Sequence, residues 1–120
     1  MATATTCDLT NKHCVPCEGG VPPLTPQQVT ELLACVPGWK ASPDAKSIRR
    51  EWRVKDFATA LDFFNRVGAV AEKEDHHPDL HLTGYRDVAI ELSTHAIKGL
   101  SENDFILAAK IDQLPVALKN

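Results

Sequence analysis

"DFATALDFFNRVGAVAEKEDHHPDL", residues 56–80, decides the fold. Asp56 stands where a helix N-cap is expected, and Phe57, Ala60, Leu61, Phe64, Val67 and Ala71 recur at steps of three and four. This apolar stripe predicts a long helix with one face on a core. Pro78 has no backbone N–H and biases His77 away from helical backbone, so the helix is expected to end in the acidic, histidine-bearing stretch. Beyond it, "DLHLTGYRDVAIELST" (79–94) changes to a two-residue period: Val88, Ile90 and Leu92 alternate with Asp87, Ala89 and Glu91, the pattern of a hairpin.

The segment before the helix reads the same way. In "GWKASPDAKSIRREWRV" (38–54), Ile48, Trp52 and Val54 share one strand face, Arg49, Glu51 and Arg53 share the other, and "SPDA" supplies the turn. One wet face is the mark of antiparallel pairing. Two further helices flank these hairpins. "LTPQQV" (24–29) carries Thr25 as N-cap, Pro26 at the first helical position and Gln28 to complete a capping box, with Leu24 and Val29 placed for a hydrophobic staple. "SEND" (101–104) offers Ser101 as N-cap and Asp104 at the third position, ahead of Leu107, Ile111 and Leu114, and Pro115 is expected to end this last helix. The order helix, two strands, helix, two strands, helix predicts an α+β domain: a four-stranded antiparallel sheet with three helices packed on one face.

A chain of 120 residues is one domain's worth, and it can bury about two-thirds of its unfolded surface. With 43% hydrophobic and 24% charged residues it falls among globular chains and not disordered ones. Thirteen basic against 16 acidic residues give a net charge of −3, and the densest basic patch, Arg49, Arg50 and Arg53, is broken by Glu51 and Trp52. Nucleic-acid binding needs clustered cations, so it is not expected here. No apolar run is long enough to span a bilayer, and "MATATTCDLTNK" has no apolar core for a secretory signal, so a cytoplasmic protein without a membrane partner is expected.

"GGVPP" (19–23) marks a boundary, dividing an N-terminal Cys-containing arm (1–23), expected to be flexible, from a folded domain (24–120). Of the four cysteines, Cys7, Cys14 and Cys17 lie in the arm and Cys35 beyond it. The C-x-x-C spacing of Cys14 and Cys17 suits two ligands of a tetrahedral zinc ion, with Cys7, His13 or Cys35 to complete it, but the second close pair of the usual pattern is missing. Reduced thiols are the plainer reading, and no metal is expected.

Two adjacent histidines, His76 and His77, sit among Glu72, Asp75 and Pro78, and His95 follows the last strand. In antiparallel pairing the start of the third strand lies beside the end of the fourth, which is expected to bring the three imidazoles to one sheet edge. Were the helix to reach residue 76, Glu72 would stand four residues before His76 and orient its ring. His77 and His81 are four apart, but Pro78 breaks the helical pairing that a zinc-binding H-x-x-x-H needs. No serine or cysteine has the strand-turn-helix setting of a nucleophile. Acid–base chemistry by histidine remains.

"AEKEDHHPD", Tyr85, "LSTH" and "GLSENDFILAAKID" together resemble the pterin-4a-carbinolamine dehydratase family over residues from about 24 to 114, and "CVPCEGG" is similar to the N-terminal extension of longer bacterial and plant-type members. One departure is Leu80, where animal members carry a tryptophan soon after H-H-P. The resemblance implies a dehydratase that converts a 4a-hydroxytetrahydropterin to the quinonoid dihydropterin in tetrahydrobiopterin recycling, with no cofactor. It implies His76, His77 and His95 as catalytic residues, with Glu72, Asp75, Pro78, Ser93 and Thr94 lining the substrate site and His77 leading as acid or base. It also implies a homodimer or homotetramer. The alternative it carries is a non-catalytic one, since some animal members act as dimerisation cofactors of a homeodomain transcription factor.

Overall fold

Thr25 and Gln28 begin the first helix, α1 (Pro26–Leu33), in the computed structural model, which describes residues 8–14 and 22–120. The Thr25 hydroxyl accepts from the Gln28 N–H at 3.2 Å and the Gln28 side chain accepts from the Thr25 N–H at 2.9 Å, so two donors that a helix start leaves orphaned are both satisfied. The strands β1 (Lys40–Ala41) and β2 (Ile48–Arg53) pair across a loop in which Ser42 Oγ accepts from the N–H groups of Lys46 and Ser47, each at 3.2 Å. Then come the long helix α2 (Phe57–Glu74), β3 (Asp79–Thr83), β4 (Asp87–Leu92), a 3₁₀ turn at His95–Ile97, and α3 (Glu102–Asp112). Asp56 caps α2 as expected, accepting from the Thr59 N–H at 2.8 Å. The α+β order and the single antiparallel sheet, β1-β2-β4-β3, agree with the sequence reading.

Alternation along the strands separates a dry face from a wet one. Ile48, Trp52, Val88, Ile90 and Leu92 are buried, while Arg49 on the other face reaches Glu91 across the strands at 2.7 Å. All three helices send residues into the same core: Val29 from α1, Ala60, Phe63, Val67 and Ala71 from α2, and Phe105, Leu107 and Ile111 from α3. At its centre Trp52 meets Phe63 and Trp39 edge-on, with ring centroids 5.1 and 5.9 Å apart. Such pairs add about 0.5–1.5 kcal/mol beyond the area they bury. Asp112 ties the end of α3 to this cluster by accepting from Trp39 Nε1 at 2.9 Å and from Arg50 at 2.6 Å.

The structure departs from the sequence reading in four places. The buried stripe of α2 is Ala60, Phe63, Val67, Ala71 and Glu74, whereas Phe57 and Leu61 are half exposed. The helix is apolar over more than one face, and Phe63, which fits against Trp52, fixes its rotation. Second, residues 8–14 are packed on the domain where a flexible arm was expected, with Leu9 fully inside the core. Third, the chain after α3, to which the sequence reading assigned no element, returns to the sheet: Val54 bridges Leu118, and the Lys55 N–H donates to Ala117 O at 2.9 Å. Fourth, Cys35, beyond the arm, is disulfide-bonded, which the sequence reading did not favour, whereas Cys14 in the arm is a free thiol, as expected there. Cys7 and Cys17, on which the zinc option also rested, lie outside the described residues. Among the described residues no group of three or more His, Cys, Asp or Glu side chains is placed to hold a metal, and no helix is long and apolar enough to cross a membrane.

Candidate active site

The end of α2 is made by Asp75 and not by Pro78. Asp75 takes left-handed backbone (φ 52°, ψ 43°), its N–H donates to Glu72 O and the His76 N–H donates to Ala71 O, both at 3.2 Å. This pair of bonds satisfies the last carbonyls of the helix, and aspartate is one of the few non-glycine residues that tolerates the conformation. The helix therefore stops at Glu74, two residues short of where Glu72 and His76 would have stacked. The reversal sends the two imidazoles to different carboxylates.

His76 turns inward. Its Nε2 lies 2.6 Å from Asp104 Oδ1, with the histidine side chain 13% exposed and the carboxylate fully buried. A carboxylate only accepts, so Nε2 carries the proton of this bond and Nδ1 is the ring nitrogen left for other chemistry. His77 turns outward, and its Nε2 lies 2.5 Å from Glu72 Oε2 on the exposed flank of the helix. The expected Glu72–His76 contact is thus replaced by two others, Glu72–His77 and Asp104–His76.

Asp104 is the junction of the site. Its Oδ2 accepts from Thr94 Oγ1 at 2.8 Å and from the Ser101 N–H at 3.0 Å, while Thr94 Oγ1 and Ser101 Oγ share a further bond of 2.8 Å. One buried carboxylate therefore starts α3, holds the chain after β4 and anchors His76 before β3. The sheet register supports this junction, since Asp79 at the start of β3 pairs with Glu91 near the end of β4. Alanine at Asp104 strands several of these donors in a dry environment. A loss of about 1–3 kcal/mol for each buried donor left unpaired is expected, read as a fall in the denaturant midpoint with an unchanged m-value.

His95 follows the last strand, as the sequence suggested: β4 stops at Leu92 and His95 opens the 3₁₀ turn. Thr94 and Gly99 close this turn by a bridge, the Thr94 N–H donating to Gly99 O at 2.8 Å. Gly99 has to be small: a Cβ there would come within 2.7 Å of Pro23. Ser93, Thr94 and exposed His95 line an open cavity of about 290 Å³ together with Lys46 and Lys98. The hydrogen-bond chain His76–Asp104–Thr94 joins this cavity to the α2 terminus, but among the described residues no hydrogen bond joins His95 to His76 or His77. Exposed Asp75 and partly buried Pro78 flank the pair through the backbone.

Glu74, absent from the expected site, is the second buried carboxylate here, its side chain 2% exposed. Burial by itself would raise its pKa, but the Cys14 N–H at 2.7 Å, Lys110 Nζ at 2.9 Å and His13 Nδ1 at 3.1 Å outweigh burial and lower it from 4.5 to about 2. A carboxyl group with a lowered folded-state pKa stabilises the fold above its unfolded pKa, and this stabilisation is lost as pH falls through the folded value. The wild-type protein should accordingly lose stability between about pH 4.5 and pH 2 more steeply than Glu74→Gln, measured as denaturant midpoint against pH.

The sequence model of the family described as pterin 4 alpha carbinolamine dehydratase matches residues 22–114 of this chain. Pterin-4-alpha-carbinolamine dehydratase 2, mitochondrial, of Arabidopsis thaliana is 53% identical over 112 residues, which cover 91% of this chain and 60% of that protein. A putative pterin-4-alpha-carbinolamine dehydratase of Halorhodospira halophila is 53% identical over 106 residues, covering 88% of this chain and 96% of that protein. Among solved structures, a transcriptional coactivator/pterin dehydratase from Brucella melitensis superposes with a TM-score of 0.70 at 34% identity, over 75% of this chain and 95% of that one. With the caps, the sheet order and the α2–α3 junction that these comparisons accompany, the chain belongs to the pterin 4 alpha carbinolamine dehydratase family.

Proposed function

We propose that the protein dehydrates 4a-hydroxytetrahydropterins by histidine acid–base catalysis. In the reaction the hydroxyl on C4a leaves with a proton as water, N5 gives up its proton, and a C4a–N5 double bond forms. Protons given and taken balance, no electrons are exchanged with an outside partner, and the work asked of the protein is one proton donated and one accepted. The observation that carries this reading is the His76–Asp104–Thr94 chain, which fixes the tautomer and direction of one imidazole and ends beside a second, His95. His77, exposed and oriented by Glu72, supplies the third ring, and we assign it the leading acid or base role. Asp75, Pro78 and Ser93 are assigned to the walls that receive the pterin.

The setting we assign is tetrahydrobiopterin recycling in the cytoplasm, by a homodimer or homotetramer. Turnover of a synthetic 4a-carbinolamine by the purified protein tests the proposal. A rate well above the uncatalysed dehydration supports it, and a rate equal to that background would leave a non-catalytic binding role in its place.

A further inference from the structure

Residues 8–14 touch both elements that hold the His76–Asp104 pair. On the α2 side, Glu74 accepts from the Cys14 N–H at 2.7 Å and lies 3.1 Å from His13 Nδ1, and Glu74 stands two residues before His76. On the α3 side, Cys14 Sγ donates to Asn103 O at 3.5 Å and Lys12 pairs with Glu102 at 2.8 Å, one and two residues before Asp104. Lys110 of α3 closes the bracket from below, donating to Glu74 at 2.9 Å. Leu9, with no exposed surface, pins the segment into the core. The charges of Glu74, Asp104 and Lys110 all act on the Cys14 thiol, so this residue sits between the two helix ends, and burial chiefly, with the two carboxylates, pushes its pKa up to about 12. A thiol in that state is an inert spacer and not a nucleophile.

We propose that residues 8–14 are a positioning strap, acting through Glu74, that sets the distance and angle of His76 on Asp104. This inference rests on the dehydratase reading for its consequence in turnover, though its geometric content stands apart from it. A brace across the junction matters because His76 is carried by a chain reversal at the end of one helix and Asp104 by the first turn of another. Neither helix end alone fixes the distance between them, since terminal turns are the parts of helices that open most readily.

The test uses the full chain carrying Glu74→Leu with Lys110→Met, which removes the strap's acceptor without leaving a buried cation unpaired. A misplaced catalytic group costs up to about 10²-fold in rate, so kcat is expected to fall on the order of tenfold or more with KM little changed. The ¹⁵N resonances of the His76 ring should move with it. Val54→Ala, in the core just beyond the Arg53 end of β2, serves as a control for general destabilisation, and a comparable loss in Tm there should leave kcat and the His76 resonances in place. Glu74→Gln, which keeps shape and bulk, should move the same resonances less, and it carries the test if the double variant does not fold. A lower Tm with unchanged kcat and unchanged His76 resonances in these Glu74 variants would overturn the proposal. Should the wild-type protein not dehydrate the carbinolamine at all, the functional reading falls while the His76 resonances still decide the strap.

Discussion

Alanine in place of His77 is expected to slow dehydration of the 4a-carbinolamine by about 10²- to 10⁴-fold, the range that one general acid or base contributes. The ring stands at the exposed end of α2 on a carboxylate that is itself exposed, so no core contact is lost and Tm should hardly move. His76→Ala is expected to be similarly slow and also less stable, because it leaves the buried Asp104 without one of its partners. The measurement is initial rate against the spontaneous reaction, with His81→Ala as control. His81 sits on the wet face of edge strand β3, 3.6 Å from Glu91 and away from the junction. If His81→Ala proved as damaging as His77→Ala and added metal restored the rate, a metal-ligand role would replace the acid–base one.

The second large effect concerns stability. Leu9 is fully buried in a segment that sequence composition assigns to an arm, and Leu9→Ala is expected to cost about 2–5 kcal/mol, as for core leucines elsewhere. Chemical denaturation at neutral pH measures it. Alanine should be costly even though it keeps the helix boundaries and the sheet register, because the loss is a cavity beneath the strap. A change within about 0.5 kcal/mol, the range for surface sites, would return residues 8–14 to the status of an arm.

Much of this was legible in the residues. Thr25 with Gln28, Asp56 and Ser101 with Asp104 announce three helix starts because capping is a local bargain between a side chain and the backbone two or three residues on. The strands show themselves through Ile48, Trp52, Val88, Ile90 and Leu92, whose alternation is equally local. The rotation of α2 was not legible: counting apolar residues favours Phe57 and Leu61, and only the fit of Phe63 against Trp52 turns the helix the other way. The site was legible as a set of histidines but not as a network. Asp104 is 28 residues from His76 and read as a cap, a role it does fill, while Glu74 read as one more charge in an acidic run. A polar pair formed across the fold leaves no periodic trace in the sequence. Only once the rotation of α2 is known does the stripe through Ala60, Phe63, Val67 and Ala71 lead on to Glu74.

Asp104 has two duties, and they cannot be separated in time. The first turn of a helix is ordinarily where hydrogen exchange is fastest, because its donors have no partners within the helix. In this protein the carboxylate that quiets the start of α3 is also the one holding His76, so an excursion of this turn that carries Asp104 away is expected to release the imidazole as well. On the acid–base role proposed for His76, exchange protection at the Ser101 amide should report the fraction of molecules with that imidazole in place. Heat inactivation should follow that local opening and begin below the temperature at which the sheet melts.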